Sequence, residues 1–457
     1  MYRHIYQDLI QWKESKTRKP LILKGVRQCG KTWLLKTFAA EHFEDVAYFN
    51  FEGNDSLQIC FTRDMNTERI LKELGQIRHK SIDPKKTVVI FDEIQFCPSA
   101  LTSLKYFFEN MPELPIMCAG SLLGIALAKP LSSQGRPLLN ASVDISSLSA
   151  FPVGKVTFLT LYPMDFSEFL LANGDEYLYN YLNDLNFDEK ISPPLVDGIT
   201  GYYRDYILVG GMPEAVNTWV LTHDVGKVDT VLTEILNSYE FDFAKHAPSA
   251  DYPKLSGIWK AIPSQLAKEN RKFIYSKVMT GGRGRNMSDA LQWLVDAGLV
   301  YKIDRVERPD YPLSVTADGS YFKVYLCDVG LLRRLSRFDI EGFFADSPEF
   351  ALMRGVITEN FVLTELISSS GEVPFYWKSG NTAEVEFVVQ HGVDIVPVEV
   401  KAGLHTSSKS LAVYREKYHP RIALRMSLKN VGITDDSRGR FISLPLYLAG
   451  KVTKYLH

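Results

Sequence analysis

The chain has 457 residues, 46% of them hydrophobic and 23% charged, with a formal net charge of -2. Such a length predicts about three domains, each able to bury a core, and the near-neutral balance excludes a global attraction to nucleic acid or an acidic membrane, so any basic surface must be local. No apolar run approaches membrane-spanning length, the N-terminus lacks a signal-peptide apolar region, and the five cysteines are scattered without a C-x-x-C pair; together these argue against a disulfide framework or zinc site and predict a cytoplasmic location.

Residues 1–17 read as an amphipathic helix with Ile5, Leu9, Ile10 and Trp12 on one side. The short apolar strand Leu21-Ile22-Leu23 follows, and then Gly25-Val26-Arg27-Gln28-Cys29-Gly30-Lys31-Thr32, which matches the phosphate-loop pattern G-x-x-x-x-G-K-[ST]. Trp33-Leu34-Leu35-Lys36-Thr37-Phe38 continues at helical spacing, so strand, loop and helix come in the required order. In such a loop the backbone amides from Gly25 to Trp33 and the helix N-terminus converge on phosphate oxygens. Lys31 would reach the β- and γ-phosphates, and the Thr32 hydroxyl would hold Mg²⁺. Cys29 reads either as a thiol made oxidisable by the loop amides and Lys31, or as a small residue that fits a tight loop.

Val46–Asn50 is a second strand, and Thr87-Val88-Val89-Ile90-Phe91-Asp92-Glu93 is a continuous apolar strand ending in two carboxylates, as expected of a parallel strand covered on both faces. Asp92 is placed to hold Mg²⁺ and Glu93 to polarise an attacking water. Pro115–Ala119 ends in Gly120-Ser121, where Ser121 reads equally as a sensor of the γ-phosphate and as the cap of the next helix. Residues 128–150 are rich in Ser, Pro and Gly and suggest a mobile loop carrying Arg136; Val156–Leu159 is the expected last strand. The alternation predicts an α/β, three-layer P-loop core over residues 1–164.

From Asp165 the pattern turns helical, with Asp165 and Glu168 spaced as a capping box, and residues 165–250 read as a helical lid. Inside it, Gly210-Gly211-Met212-Pro213 breaks two helices, which on residues alone is a tight turn with Pro at the first helical position. Residues 251–318 have the outline of a winged helix-turn-helix: a helix ending at Gly298 and then the strand from Leu299. Lys268, Arg271, Lys272, Lys277, Arg283 and Arg285 are its candidate phosphate contacts, whereas Asp289 and Asp296 make the recognition helix a poor major-groove face.

Residues 319–457 carry a second constellation. Glu384 and Glu386 share one face of a strand, Glu399 and Lys401 share a face of the next, and Glu359 lies on an upstream helix. Acid, then acid-x-lysine on adjacent strands, is the arrangement of PD-(D/E)XK metal-dependent nucleases; the alternative is a salt-bridged solvated face.

The block around the phosphate loop, Leu161–Phe169, Gly210–Val216, Lys323–Leu332, Thr358-Glu359-Asn360 and Glu399-Val400-Lys401 together resemble the prokaryotic AAA-type ATP-binding proteins with a C-terminal domain of unknown function. The resemblance covers nearly the whole chain. It implies an AAA core, a lid, a winged helix and a restriction-endonuclease-like C-terminal domain. It also implies ATP and Mg²⁺ at Lys31, Thr32, Asp92 and Glu93, and adenine contacts from Gly211 and Pro213. Glu386 stands where the related sequences usually have Asp, which puts cleavage in doubt. The expected function is an ATPase, expected as a homo-oligomer, whose cycle repositions the winged helix and C-terminal domain; a slow nucleotide switch and an ATP-gated nuclease are the alternatives. Arg136 and Arg204 are the candidate trans-acting arginines, and DNA or RNA a candidate partner.

Overall fold

A computed structural model describes residues 1–121, 154–186, 188–247, 250–268, 271–279, 284–339, 343, 347–380, 383–404 and 409–456. The stretch 128–150 with Arg136, and the side chains of Arg283 and Arg285, lie outside the described residues.

The first unit runs α1 (Tyr6–Glu14), β1 (Leu21–Lys24), α2 (Lys31–His42), β2 (Asp45–Asn50), α3 (Asp55–Thr62), α4 (Thr67–Ile77), β3 (Thr87–Asp92), α5 (Pro98–Asn110), β4 (Ile116–Ala119) and β5 (Thr157–Thr160). Its five strands pair in the order β2-β3-β4-β1-β5, all parallel. Alternate residues of the central strands enter different cores. Leu21, Leu23, Val88, Ile90, Met117 and Ala119 pack on the side that holds Leu34, Leu35 and Phe38 of α2, while Ile22, Val89, Phe91, Ile116 and Cys118 pack with Leu101, Leu104 and Phe107 of α5. That division, with every residue of β3 buried, is what a parallel sheet with helices on both faces requires. The carboxyl ends of β1, β3 and β4 therefore open on one edge, where Thr32, Asp92 and Ser121 lie.

A run of helices follows: α6 (Phe166–Ala172), α7 (Glu176–Asp184), α8 (Pro193–Val209), α9 (Pro213–Thr222) and α10 (Val225–His246). The capping box at the start of α6 is complete, Asp165 accepting from Glu168 N and Glu168 accepting from Asp165 N. The next elements are α11 (Tyr252–Leu266), α12 (Gly284–Asp296), β6 (Val300–Val306) and β7 (Ala317–Leu326). Gly298, at φ 73°, ends α12 and lets Leu299 N reach Leu294 O at 3.1 Å, as its sequence position suggested.

The last unit comprises α13 (Val329–Leu335), α14 (Pro348–Ser370), β8 (Phe375–Ser379), β9 (Ala383–His391), β10 (Asp394–Val400), α15 (Lys409–Tyr418), β11 (Ile422–Ser427), β12 (Gly432–Asp436) and β13 (Gly439–Pro445). Its mixed sheet has eight strands in the order β12-β13-β11-β10-β9-β8-β6-β7. The strand expected within the winged helix-turn-helix unit is thus part of the C-terminal sheet: β6 pairs antiparallel with β7 and parallel with β8 through Arg305–Tyr376 and Val306–Trp377. The boundary expected between residues 318 and 319 falls inside β7. Alternation of apolar residues tells which face of a strand is buried but not which neighbour its edge will find. Among the described residues no helix is long and apolar enough to cross a membrane.

Candidate nucleotide-binding site and C-terminal charged cluster

The phosphate loop links β1 to α2 with three residues at positive φ: Gly25 at 153°, Gln28 at 65° and Gly30 at 95°. A Cβ on Gly25 would lie 2.3 Å from Leu161 O, so only glycine lets the chain leave β1 beside β5 in this way. Lys31 is buried and folds back over the loop, its Nζ donating to Gly25 O at 2.9 Å and Val26 O at 2.8 Å. Cys29 is fully buried, its Sγ 3.5 Å from Leu161 O, as expected of a small residue chosen for fit. Trp33, in the first turn of α2, is half exposed.

Across the sheet edge, Thr32 Oγ1 donates to Asp92 Oδ2 at 2.9 Å. The same oxygen accepts from Tyr48 OH at 2.7 Å, and Asp92 Oδ1 accepts from Glu93 N at 3.0 Å. Burial first, and then the Asp92 carboxylate, pushes the Tyr48 phenol well above its ordinary range, so it stays a donor at any physiological pH. Glu93 sits in the left-handed region at φ 50°, a strained position for a non-glycine residue that aims its carboxylate at Gln95 Nε2, 2.5 Å away, and Ser121 Oγ, 3.4 Å away. Lys31, Thr32, Asp92, Glu93 and Ser121 are thereby brought together from three separate segments of the chain.

The Gly-Gly-x-Pro segment lies beside the loop. A Cβ on Gly30 would be 3.7 Å from Pro213 Cγ. Gly211 N donates to Asp328 Oδ2 at 2.6 Å, and Gly211 O accepts from Met164 N at 2.7 Å. A Cβ on Gly211 would come 2.0 Å from Met164 O, and one on Gly210 would come 2.4 Å from Asp328 Oδ1, so both glycines are required by what they touch. A cleft of about 420 Å³ opens on the other flank of the loop, lined by Lys24, Val26, Tyr162, Pro163, Asp296 and Tyr301. Arg204 is exposed on α8.

Three residues to which the sequence assigned no role complete the surroundings. Arg3 is buried and donates to Cys29 O at 3.0 Å, to Tyr162 O at 2.5 Å and to Glu168 Oε2 at 2.9 Å, tying the leading segment to the loop and to α6. Tyr48 holds Asp92 as described. Asp328 bridges Gly211 N and, at the start of α13, Leu331 N at 2.8 Å.

Burial pushes the Asp328 carboxyl up to about 6, against the pull of the Gly211, Leu331 and Gly330 amides and Arg333. A raised folded-state value means that the proton is held more tightly in the folded chain. The associated stability is fully present below the unfolded value near 4 and is lost as pH rises through about 6. We expect the wild type to lose about 3 kcal/mol over that window relative to Asp328→Asn, read as a difference in denaturant midpoints at pH 4 and pH 7. Parallel curves for the two proteins would contradict it.

In the C-terminal unit, α14 supplies Glu359, β9 supplies Glu386, and β10 supplies Glu399 and Lys401. The β9–β10 register, ending at Val398 opposite Phe387, sets Glu399 beside Glu386. Each carboxylate already has a protein partner: Glu359 pairs with Arg271 and accepts from Tyr325 OH at 3.1 Å, Glu386 accepts from Val400 N at 3.1 Å, and Lys401 Nζ lies 2.6 Å from Glu399 Oε1. Burial works against the Lys401 charge, yet Glu386 and Glu399 raise its pKa. Glu384 pairs instead with Lys323 at 2.6 Å and Lys378 at 3.0 Å. The four predicted residues thus converge, but their carboxylates do not form a trio within shared ligand distance. Among the described residues only His4, Asp165 and Glu168 bring three ligand atoms that close, and the two carboxylates serve the α6 capping box, His4 N and Arg3.

Three family models match the chain: "AAA domain" over residues 17–170, "Domain of unknown function (DUF8612)" over 200–341, and "Domain of unknown function (DUF4143)" over 354–447. No curated protein matches the chain. Among solved structures it is similar to the Walker-type ATPase paby2304 of Pyrococcus abyssi, at 16% identity and a TM-score of 0.42, covering 72% of this chain and 94% of that one. It is also similar to the Aeropyrum pernix ORC1 protein, solved in complex with DNA, at 13% identity and a TM-score of 0.29, covering 74% and 93%. A third is the signal transduction ATPase PH0952 of Pyrococcus horikoshii, which has a tetratricopeptide repeat sensor, at 13% identity and a TM-score of 0.26, covering 81% of this chain and 46% of that one.

Proposed function

We propose that this chain, an AAA-type P-loop protein by its first domain, binds ATP with Mg²⁺, hydrolyses it to ADP and phosphate, and uses the cycle to reposition its helical and C-terminal units. The observation that supports this best is the contact between Thr32 Oγ1 and Asp92 Oδ2, which joins the end of the phosphate loop to the acidic end of β3. Their oxygens fit a hard divalent cation, and Tyr48 fixes the carboxylate from behind. Bound there, Mg²⁺ would neutralise charge on the β- and γ-phosphates.

In this reading Lys31 turns from the loop carbonyls to phosphate oxygens. Glu93, held by Gln95 and Ser121, orients a water and takes its proton as the water oxygen bonds to the γ-phosphorus. The bond to the β–γ bridging oxygen breaks, and ADP leaves. The remaining loop amides, from Gly25 to Trp33, cradle the phosphates. Gly211 and Pro213 stand as the adenine contacts, and Arg204 as the arginine offered to a neighbouring copy in a homo-oligomer.

The test is phosphate release from ATP by the full chain, with loss of release expected when EDTA removes the divalent cation. Turnover slower than about 10⁻³ s⁻¹, the scale of an unassisted P-loop GTPase, would favour a nucleotide-state switch that scaffolds partners. Absence of both binding and release would sink the ATP-site reading.

A second reading, an ATP-gated nuclease acting on DNA or RNA, draws on the convergence of Glu359, Glu386, Glu399 and Lys401 across α14, β9 and β10. A metal there would have to displace Arg271 and Lys401 from their carboxylates, an exchange of buried ion pairs for ion coordination. We therefore expect no fragments from single- or double-stranded DNA or RNA incubated with the protein, ATP and Mg²⁺ or Mn²⁺. Cleavage by the wild type that is lost in Lys401→Ala would establish the nuclease instead.

A further inference from the structure

Helix α10 spans the distance between the phosphate loop and the start of the C-terminal unit, and it is held at both ends by arginines. Near its C-terminus Tyr239 OH donates to Arg27 O at 2.9 Å, Asp242 pairs with the Arg27 guanidinium, and Lys245 lies 2.9 Å from Glu52. Near its N-terminus Asp229 pairs with Arg333, whose Nε also donates to Leu208 O at 2.9 Å, and Thr233 Oγ1 accepts from Arg334 Nε at 2.7 Å. Thirteen helical steps separate Asp229 from Asp242, about 20 Å of rigid rise. Arg333 and Arg334 belong to α13, whose N-terminal cap, Asp328, holds Gly211.

Arg27 is the third residue of a loop built around phosphate, and its guanidinium is 39% exposed where Asp242 is 9% exposed. Burial alone would lower its pKa; Asp242, together with Glu93 and Glu52, holds it above its ordinary value, which places the guanidinium in the same acidic field as the residue that faces the attacking water. A terminal phosphate, multiply charged and with two oxygens that can accept from both arms of the guanidinium, is a better partner for it than one carboxylate oxygen.

We propose that Arg27 is the residue that distinguishes ATP from ADP, by exchanging Asp242 for the γ-phosphate, and that α10 carries the exchange to α13. This rests on the reading of the loop as an ATP site. With ATP bound the guanidinium leaves Asp242, and the C-terminal end of α10 loses one of its ties to the loop; with ADP the ion pair re-forms. The differential contact is made in one state only, which is what coupling between two sites requires.

The experiment is calorimetric binding of ADP and of a non-hydrolysable ATP analogue, with Mg²⁺, to the full-length wild type, Arg27→Gln and Asp242→Asn. The wild type is expected to prefer the triphosphate. Arg27→Gln should lower the triphosphate-to-diphosphate affinity ratio by about 10-fold or more, the scale of a lost charged hydrogen bond. Asp242→Asn, which removes the competing negative charge and leaves the loop intact, should raise that ratio. In the same samples, hydrogen exchange of the α13 amides should differ between the two nucleotides in the wild type and match between them in Asp242→Asn. Equal weakening of both nucleotides by Arg27→Gln, no wild-type preference, or a ratio unmoved by Asp242→Asn overturns the proposal while leaving the ATP site standing. Failure of the wild type to bind either nucleotide overturns both. If Arg27→Gln does not fold, Asp242→Asn decides alone.

Discussion

Lys31→Ala weakens ATP binding by about 100-fold or more, enough to remove it from the micromolar range. A buried ammonium that meets phosphate oxygens at the positive end of a helix is worth a strong charge-assisted hydrogen bond, and each such bond contributes about 1.5–3 kcal/mol. In the free protein Lys31 Nζ donates to Gly25 O and Val26 O, contacts that it exchanges for the phosphate oxygens, so alanine removes the one ammonium the loop holds ready for the anion. Lys31→Arg keeps the charge but not the compact head that fits between those carbonyls, and its affinity should fall between wild type and alanine. Titration of the full chain with a fluorescent ATP analogue checks all three. Wild-type affinity in Lys31→Ala would mean that the loop holds no nucleotide.

Glu93→Gln should separate chemistry from binding. If Glu93 takes the proton of the attacking water, the amide leaves the nucleotide pocket intact and lowers kcat by about 10²- to 10⁴-fold. Affinity for ATP should stay within a few-fold of wild type, because Asp92, Thr32 and Lys31 are untouched. The readout is steady-state phosphate release beside nucleotide affinity on the same preparation. Unchanged turnover would move the base to another residue. Because Glu93 sits at φ 50° with Gln95 and Ser121 on its carboxylate, Ser121→Ala should reproduce part of the loss without altering the loop.

The core was legible because its chemistry is local. A phosphate loop needs its two glycines, its lysine and its threonine within eight residues, and a central parallel strand announces itself as an unbroken apolar run such as Thr87–Asp92. The capping box at Asp165 and Glu168 and the helix end at Gly298 were visible for the same reason. The rest depends on contacts between distant parts of the chain. Arg3 meets Glu168 and Arg27 meets Asp242 across 165 and 215 residues. Nothing in the spacing of single arginines foretells that. Asp328, inside the stretch Lys323–Leu332 that resembled a known family, showed no local sign that its carboxylate would reach Gly211. The C-terminal acids were found in the right order on the right elements, but their cationic partner Arg271 comes from a segment preceding α12, so sequence patterning could not show how their charges are balanced.

The eight-stranded sheet carries one more consequence, for how this protein can be inherited or recombined. Because β6 lies between β8 and β7, a gene fragment starting at residue 319 would encode a sheet lacking β6 and the first two residues of β7, with the pairing edge of β8 bare to any other strand in the cell. A C-terminal fragment that keeps the edge of β8 covered therefore begins no later than β6, before residue 300.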